Sequence, residues 1–248
     1  MIKLIDIFQK EFDRVKDFKD TKQEFVLSNH DNIEKIFGYV FIINYFKKRA
    51  ETKRYFGNAF NMTFSLLLES FYALVTGQCR SALLLLRSAQ EANYRFVLER
   101  ERIFMSENDS SLSFEPLDFR FIDTKRKFIK DLQHCLDKNT FKEYYDSIER
   151  NYTLYKQLSG VVHSQAANIP IMSVDYFSDL YKDTIIDRER FFKLFSSTLN
   201  EIFLLDFFLM RESLSRWDSF LLYEVLRTLY GNKRTNTLIK IVKNKADI

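Results

Sequence analysis

The chain is poor in residues that interrupt helices: its 248 residues include only five Gly and two Pro. That scarcity argues against a turn-rich all-β fold and against a low-complexity chain. Cysteine is scarce too. Cys79 and Cys135 show no metal-ligand or disulfide spacing, and with three histidines (His30, His134 and His163) they cannot assemble a usual zinc site without carboxylates. The sequence contains no Gly-rich phosphate loop, nucleophile-elbow serine, His-x-x-x-His pair or kinase set. Long apolar runs are also missing. The longest apolar-looking segment, Phe203 to Met210, contains Asp206 and is far shorter than a membrane span. The opening MIKLIDIFQKEFDRVK places charges where a signal peptide would be apolar. These absences lead us to expect a soluble, cytoplasmic protein with no metal, no cofactor and no membrane contact.

What is present is helix-forming and bulky. Hydrophobic residues make up 46% of the chain and aromatic residues 16%, most of them Phe, which points to an all-α fold with a large interhelical core. Helical periodicity predicts helices at about 2–18, 31–50, 57–76, 78–104, 120–137, 139–164, 187–215, 217–230 and 233–244. Ser28, Asn29 and Asp31 are N-cap candidates for the second of these. Gly77 sits between two apolar helical runs, as the residue after a helix C-cap would. The reading is therefore one all-α domain over 1–248: a multi-helix bundle with a central antiparallel hairpin at 57–104. Two loops interrupt it, a Ser-rich one at 106–116 and one at 166–183.

Charge is unevenly placed. The net charge is +4, and the tail from Gly231 to Ile248 carries all of it: Lys233, Arg234, Lys240, Lys243 and Lys245 against Asp247. The other 230 residues sum to zero. Nucleic-acid affinity is accordingly expected to rest on this tail, with Lys233, Arg234, Lys240 and Lys243 as phosphate contacts. Two further stretches mix cations with aromatics: YFKKRAETKRYF at 45–56 and FRFIDTKRKFIK at 119–130. Such stretches can grip phosphates and stack bases, but more often they are one solvated helix face over one buried aromatic face. Glu99 and Glu101 in LERER read as solvent-facing charges.

The most unusual segment is GQCRSALLLLRSAQEANYR, 77–95. It is apolar nearly all round, yet Arg87, Glu91 and Arg95 recur at i, i+4, i+8 on one face. Charges on a buried helix need partners, so the stripe is either a structural ion-pair ladder or a functional site. Arg87 and Glu91 are expected to be mostly buried and paired, with each other or with the helix that ends near His163. A second apolar excess lies at 188–214. It marks either the central helix of the bundle or a surface that packs on a partner.

The hairpin LLLESFYALVTGQCRSALLLLRSAQEANYRFVLE, followed by a later helix ending in LSGVVHS, resembles the helical core of the HEPN superfamily and related abortive-infection, phage-associated proteins. The resemblance spans about Phe64 to Gln165. It implies a helical bundle that commonly dimerises, and in many members a metal-independent ribonuclease; other members are non-catalytic binding modules. In the nuclease pattern four to six residues separate an arginine from the histidine that follows it. Here the corresponding positions hold Leu158, Gln157 and Lys156.

What the resemblance implies is a catalytic set of His163 as base or acid, Glu91 as an orienting carboxylate, and Arg87 or Lys156 on the phosphate, with Arg95 as a further nucleic-acid contact. His163 alone would more often be a helix-terminus or core group. Two functions therefore stand side by side. One is a metal-independent, RNA-directed effector in anti-phage defence or toxin action, held as a homodimer or by an antitoxin. The other is a non-catalytic adaptor or sensor acting through dimerisation or protein partners.

Overall fold

In the computed structural model, residues 3–117, 120–162 and 185–243 are described. Among them the chain forms twelve helices and no strand: α1 (Leu4–Lys16), α2 (Gln23–Ser28), α3 (His30–Lys48), α4 (Lys53–Phe56), α5 (Phe60–Val75), α6 (Cys79–Asn108), α7 (Phe121–Leu132), α8 (Lys142–Val162), α9 (Arg188–Leu209), α10 (Arg211–Ser215), α11 (Ser219–Arg227) and α12 (Asn232–Lys243). The fold is all-α and multi-helical, as the scarcity of Gly and Pro predicts. No helix of the described residues is long and apolar enough to cross a membrane.

The α5–α6 hairpin forms for the reason read from Gly77. Gly77 adopts φ +82°, a left-handed conformation that costs glycine little. Its N–H donates to Leu74 O at 2.9 Å, and Gln78 N–H donates to Ala73 O at 2.8 Å. These two bonds satisfy carbonyls that the end of α5 would otherwise leave open. A side chain here would be strained twice over, because a Cβ would sit 2.9 Å from the Lys22 side chain.

The hairpin is tight, and its second arm, α6, lies at the centre, while part of its first arm is open to solvent. Met62, Leu68 and Tyr72 on α5 face solvent. The centre is shared by α6 and α9, which pack on each other and on α3 and α8. Almost every apolar side chain of α9 is buried, from Phe191 to Leu209. Of the two roles open to this segment, it takes that of central helix. One continuous apolar cluster reaches from Phe8 on α1 to Val242 on α12.

Boundaries differ from the sequence reading at several places. The short helices α2 and α4 fall where loops were expected. Asn29 does not cap α3; its amide donates back to Phe25 O at 2.7 Å, closing α2 instead. The long helix expected at 187–215 breaks at Met210 into α9 and α10. The Ser-rich loop begins only after α6 ends at Asn108.

Glu101 corrects the expectation of a solvent-facing charge. It is fully buried, whereas Glu99 two residues earlier is exposed. Arg211 on α10 grips it with both terminal nitrogens, at 2.5 and 3.0 Å, and Tyr144 Oη on α8 donates to it at 2.8 Å. Desolvation and the adjacent carboxylate push the Tyr144 phenol well above its usual range. Removing Arg211 would leave a buried carboxylate uncompensated. Arg211→Leu is therefore expected to destabilise the protein by about 3–5 kcal/mol, read as a lowered urea midpoint with an unchanged slope.

Candidate functional site

The site is built around α8, the helix that runs up to His163. A buried polar cluster fixes this helix against its neighbours. Gln90 on α6 donates from Nε2 to the backbone and side-chain oxygens of Asn151, at 2.9 and 3.0 Å. Asn151 Nδ2 donates to the backbone oxygen of Glu201 on α9 at 3.1 Å. The Glu201 carboxylate accepts from Ser147 Oγ at 2.8 Å, Arg150 Nε at 2.9 Å and Asn200 Nδ2 at 2.9 Å. Arg150 also reaches Glu143 at 2.6 Å, and Arg234 on α12 reaches the same carboxylate at 2.5 Å. Burial alone would raise the Glu143 carboxyl; its bonds to the two guanidinium groups outweigh that and hold it below its usual range.

The charged stripe on α6 divides. Arg87 is half-buried and donates to Tyr155 Oη on α8 at 2.9 Å, with its guanidinium 5.0 Å from the Tyr155 ring centre. Tyr155 is itself stacked on Phe121 of α7, 4.2 Å between ring centres and 7° between planes. Arg87 therefore does pair with the helix leading to His163, though through a phenol and π-face rather than a carboxylate. Glu91 does not pair with Arg87. Its nearest cation is Arg95, at 3.9 Å, and each side chain keeps about a third of its surface exposed (32% and 27%). The stripe expected to be a buried pair is thus a half-exposed helix ladder. The deeply buried polar side chains of α6 are Gln90, Asn93 and Glu101. Gln90 and Asn93 carry no charge, so they gave no signal in a search for paired charges.

Arg87, Glu91 and Lys156 do not converge. Lys156 lies on another side of α8, exposed, with its ammonium 4.9 Å from the Tyr152 ring centre. It lines a cleft between the C-terminal half of α8 and the first half of α9, with a volume of about 360 Å³. Gln157 and Gly160 line the same wall, and Arg190, Lys193 and Ser197 the opposite one. Neither Arg87 nor Glu91 borders it. His163, which follows α8 directly in the chain, lies outside the described residues. The other two histidines are elsewhere: His30 meets the edge of the Phe12 ring on α1, and His134 is exposed beyond α7.

The C-terminal cations are more engaged than a free tail would be. Residues 232–243 form α12, which buries Thr235, Leu238 and Val242. Arg234 is held by Glu143, and Lys243 donates to the backbone oxygens of Ser215 and Trp217. Both depart from the expected phosphate contacts, because packing α12 on the bundle draws their charges inward. Lys233 and Lys240 stay exposed. The two basic–aromatic stretches take the bland arrangement. Phe46, Tyr55, Phe56, Phe121 and Phe128 are buried, and Arg49, Arg54, Lys125, Arg126 and Lys130 are each within ion-pair distance of a carboxylate. Among the described residues, no group of three His, Cys, Asp or Glu is placed to hold a metal.

Comparison with models of protein families, with curated proteins and with solved structures finds no match. What can be argued about function rests on the chain itself.

One more buried carboxyl bears on how the core tolerates charge. Asp206 on α9 is 1% exposed, and burial pushes its pKa well above the usual range; only the Asn93 side chain opposes that. A raised folded-state pKa means that the folded protein holds the proton more tightly than the unfolded chain. Stability tied to Asp206 is then lost as pH rises from the unfolded carboxyl value toward the folded one. Asp206→Asn is expected to match the wild type in acid and to exceed it at neutral pH, in urea titrations across that range. The ladder and the buried cluster should also separate cleanly. Glu91→Gln should change stability by well under about 1 kcal/mol, whereas Glu201→Gln should cost several-fold more by the same measurement.

Proposed function

We propose that this chain is a HEPN-like, RNA-directed effector that cuts or engages RNA without a metal. Its setting is the anti-phage or toxin role that the resemblance implies, and it works as a homodimer or under the control of a protein partner. The observation that carries this reading is the position of Lys156. It sits on the helix that leads into His163 and borders a cleft with no carboxylate among its described lining residues. Cleavage through the RNA 2′-hydroxyl needs a group that accepts and returns a proton near neutral pH, and a cation to take up charge on the phosphate. His163 supplies the first and Lys156 the second. A lysine grips phosphate as a point charge, not as a bidentate fork.

The revised role of Arg87 is structural support. Bonded to Tyr155, it holds α8 against α6 and α7, one residue from Lys156. Glu91, paired along its own helix, is left with no part in the chemistry. That division is also the observation favouring the second reading, a non-catalytic adaptor: the three α6 and α8 side chains named for catalysis face different partners.

A single experiment separates the two. A structured RNA is incubated in EDTA with wild type and with His163→Ala. Cleavage by wild type, abolished by the substitution, is the expected result. Cleavage that requires added magnesium, or that survives His163→Ala, defeats the mechanism. A folded protein that cuts no RNA leaves the adaptor.

A further inference from the structure

The described residues that line the α8–α9 cleft include three cations and no counter-charge. Lys156 comes from α8; Arg190 and Lys193 come from the first two turns of α9. Among the described residues no carboxylate pairs with any of them. Asp187 is occupied as the α9 N-cap, accepting from the Arg190 backbone N–H at 3.0 Å. Glu189 stands one turn before Lys193 but does not line the cleft.

This arrangement is electrostatically uphill. Arg190, in the first turn of α9, meets the positive end of the backbone dipole, the opposite of the favourable placement. Several cations elsewhere are answered by charge: Arg49, Arg54, Lys125, Lys130, Arg150, Arg211 and Arg234 each have a carboxylate within 4.0 Å. The cleft also carries uncharged polar groups suited to an anion's oxygens, Gln157 and Ser197. At Gly160 no atom lies within 4 Å of where a Cβ would stand, so that wall is open. About 360 Å³ accommodates a phosphate with its sugar.

We propose that this cleft is a phosphate-binding site, with Lys156, Arg190 and Lys193 as its cationic contacts and the phosphodiester backbone of single-stranded RNA as its ligand. The proposal deepens the RNA-directed reading and rests on it for the identity of the strand. Arg190 and Lys193 are new to the site. They lie on α9, a different helix from Lys156. The cleft, not the C-terminal helix, then carries the main electrostatic affinity, since Arg234 and Lys243 are already engaged within the protein.

The test uses the full chain in EDTA, carrying His163→Ala so that no substrate is lost, and a fluorescent 20-nucleotide single-stranded RNA. Binding is followed by anisotropy as salt is raised. The double variant Arg190→Ala/Lys193→Ala is compared with the control pair Lys10→Ala/Lys138→Ala, exposed lysines remote in sequence from the cleft. All four positions are exposed, so folding should survive, and circular dichroism checks it. The cleft variant is expected to weaken binding at least tenfold and to lower the slope of log K against log salt by about 1.4, which is two phosphate contacts on a single strand. The control pair should move binding less than twofold.

Competition by uridine monophosphate distinguishes the source of the phosphate. Displacement only by oligonucleotide supports the strand; displacement by the mononucleotide at equal phosphate concentration overturns the strand as ligand and assigns the cleft to a free nucleotide. Equal binding by cleft variant and parent, a larger loss in the control pair, or no RNA binding by the parent overturns the proposal. The outcomes separate from those of the cleavage test. RNA bound through the cleft but never cut sinks the nuclease reading alone; RNA cut equally well by cleft variants in the His163 background sinks the cleft alone.

Discussion

Everything positioned near the candidate site depends on one buried carboxylate, Glu201. A charge at 5% exposure in an otherwise aromatic core is tolerable only when its lone pairs are filled. Ser147, Arg150 and Asn200 fill them, and Asn151 takes the backbone oxygen of the same residue. Three of these four partners lie on α8, spaced within a little over one turn. An apolar contact between α8 and α9 could slide by a residue at modest cost; this one cannot, because a shift would strand the carboxylate and Arg150 together. The cluster therefore sets the register of the two helices. That register decides which residues of α8 meet Arg190 and Lys193 near the far end of the pair.

The same constraint draws in the chain's C-terminal part. Glu143 bridges Arg150 and Arg234, so α12 is tied to α8 by charge as well as by Leu238 and Val242. The +4 that the sequence concentrates after Gly231 is in this way partly spent on folding. A sequence sum counts charges irrespective of their partners. The structure redistributes them: acidic side chains that make the body neutral on paper meet the basic patches and α12, and the charged groups among the described lining of the α8–α9 cleft are all cations.

The fold was legible because its signals are local. Gly77 between two apolar runs is a turn with a mechanism, and long amphipathic periods can only be helices in a chain so poor in Gly and Pro. What escaped was short or non-local. α2 and α4 span six and four residues, too few for a period to show. The break at Met210 follows from Arg211 turning in to Glu101, a partner 110 residues away. Burial of individual charges was the least legible feature. Glu101 sits in LERER and Glu201 in LNEIF, where neighbouring charges or polar residues suggest water. The Arg87–Glu91–Arg95 line stood out because apolar residues flank it, yet flanking residues on a helix point elsewhere. Helical spacing says which side chains share a face; it does not say whether anything covers that face.

That distinction explains why Lys156 could be named from the sequence and its companions could not. Lys156 lies two residues before the LSGVVHS run and belongs to one continuous helix. Arg190 and Lys193 are more than thirty positions later and read, at a helix start, as ordinary solvated charges. They become informative only when the Glu201 cluster brings α9 alongside α8. A solvated cation needs no partner, and neither Arg190 nor Lys193 would attract notice alone. Two of them on the first two turns of α9, facing a third across a cleft with no carboxylate among its described lining residues, form a cost that folding does not recover. Folds keep such costs where binding repays them, and here the repayment is an anion.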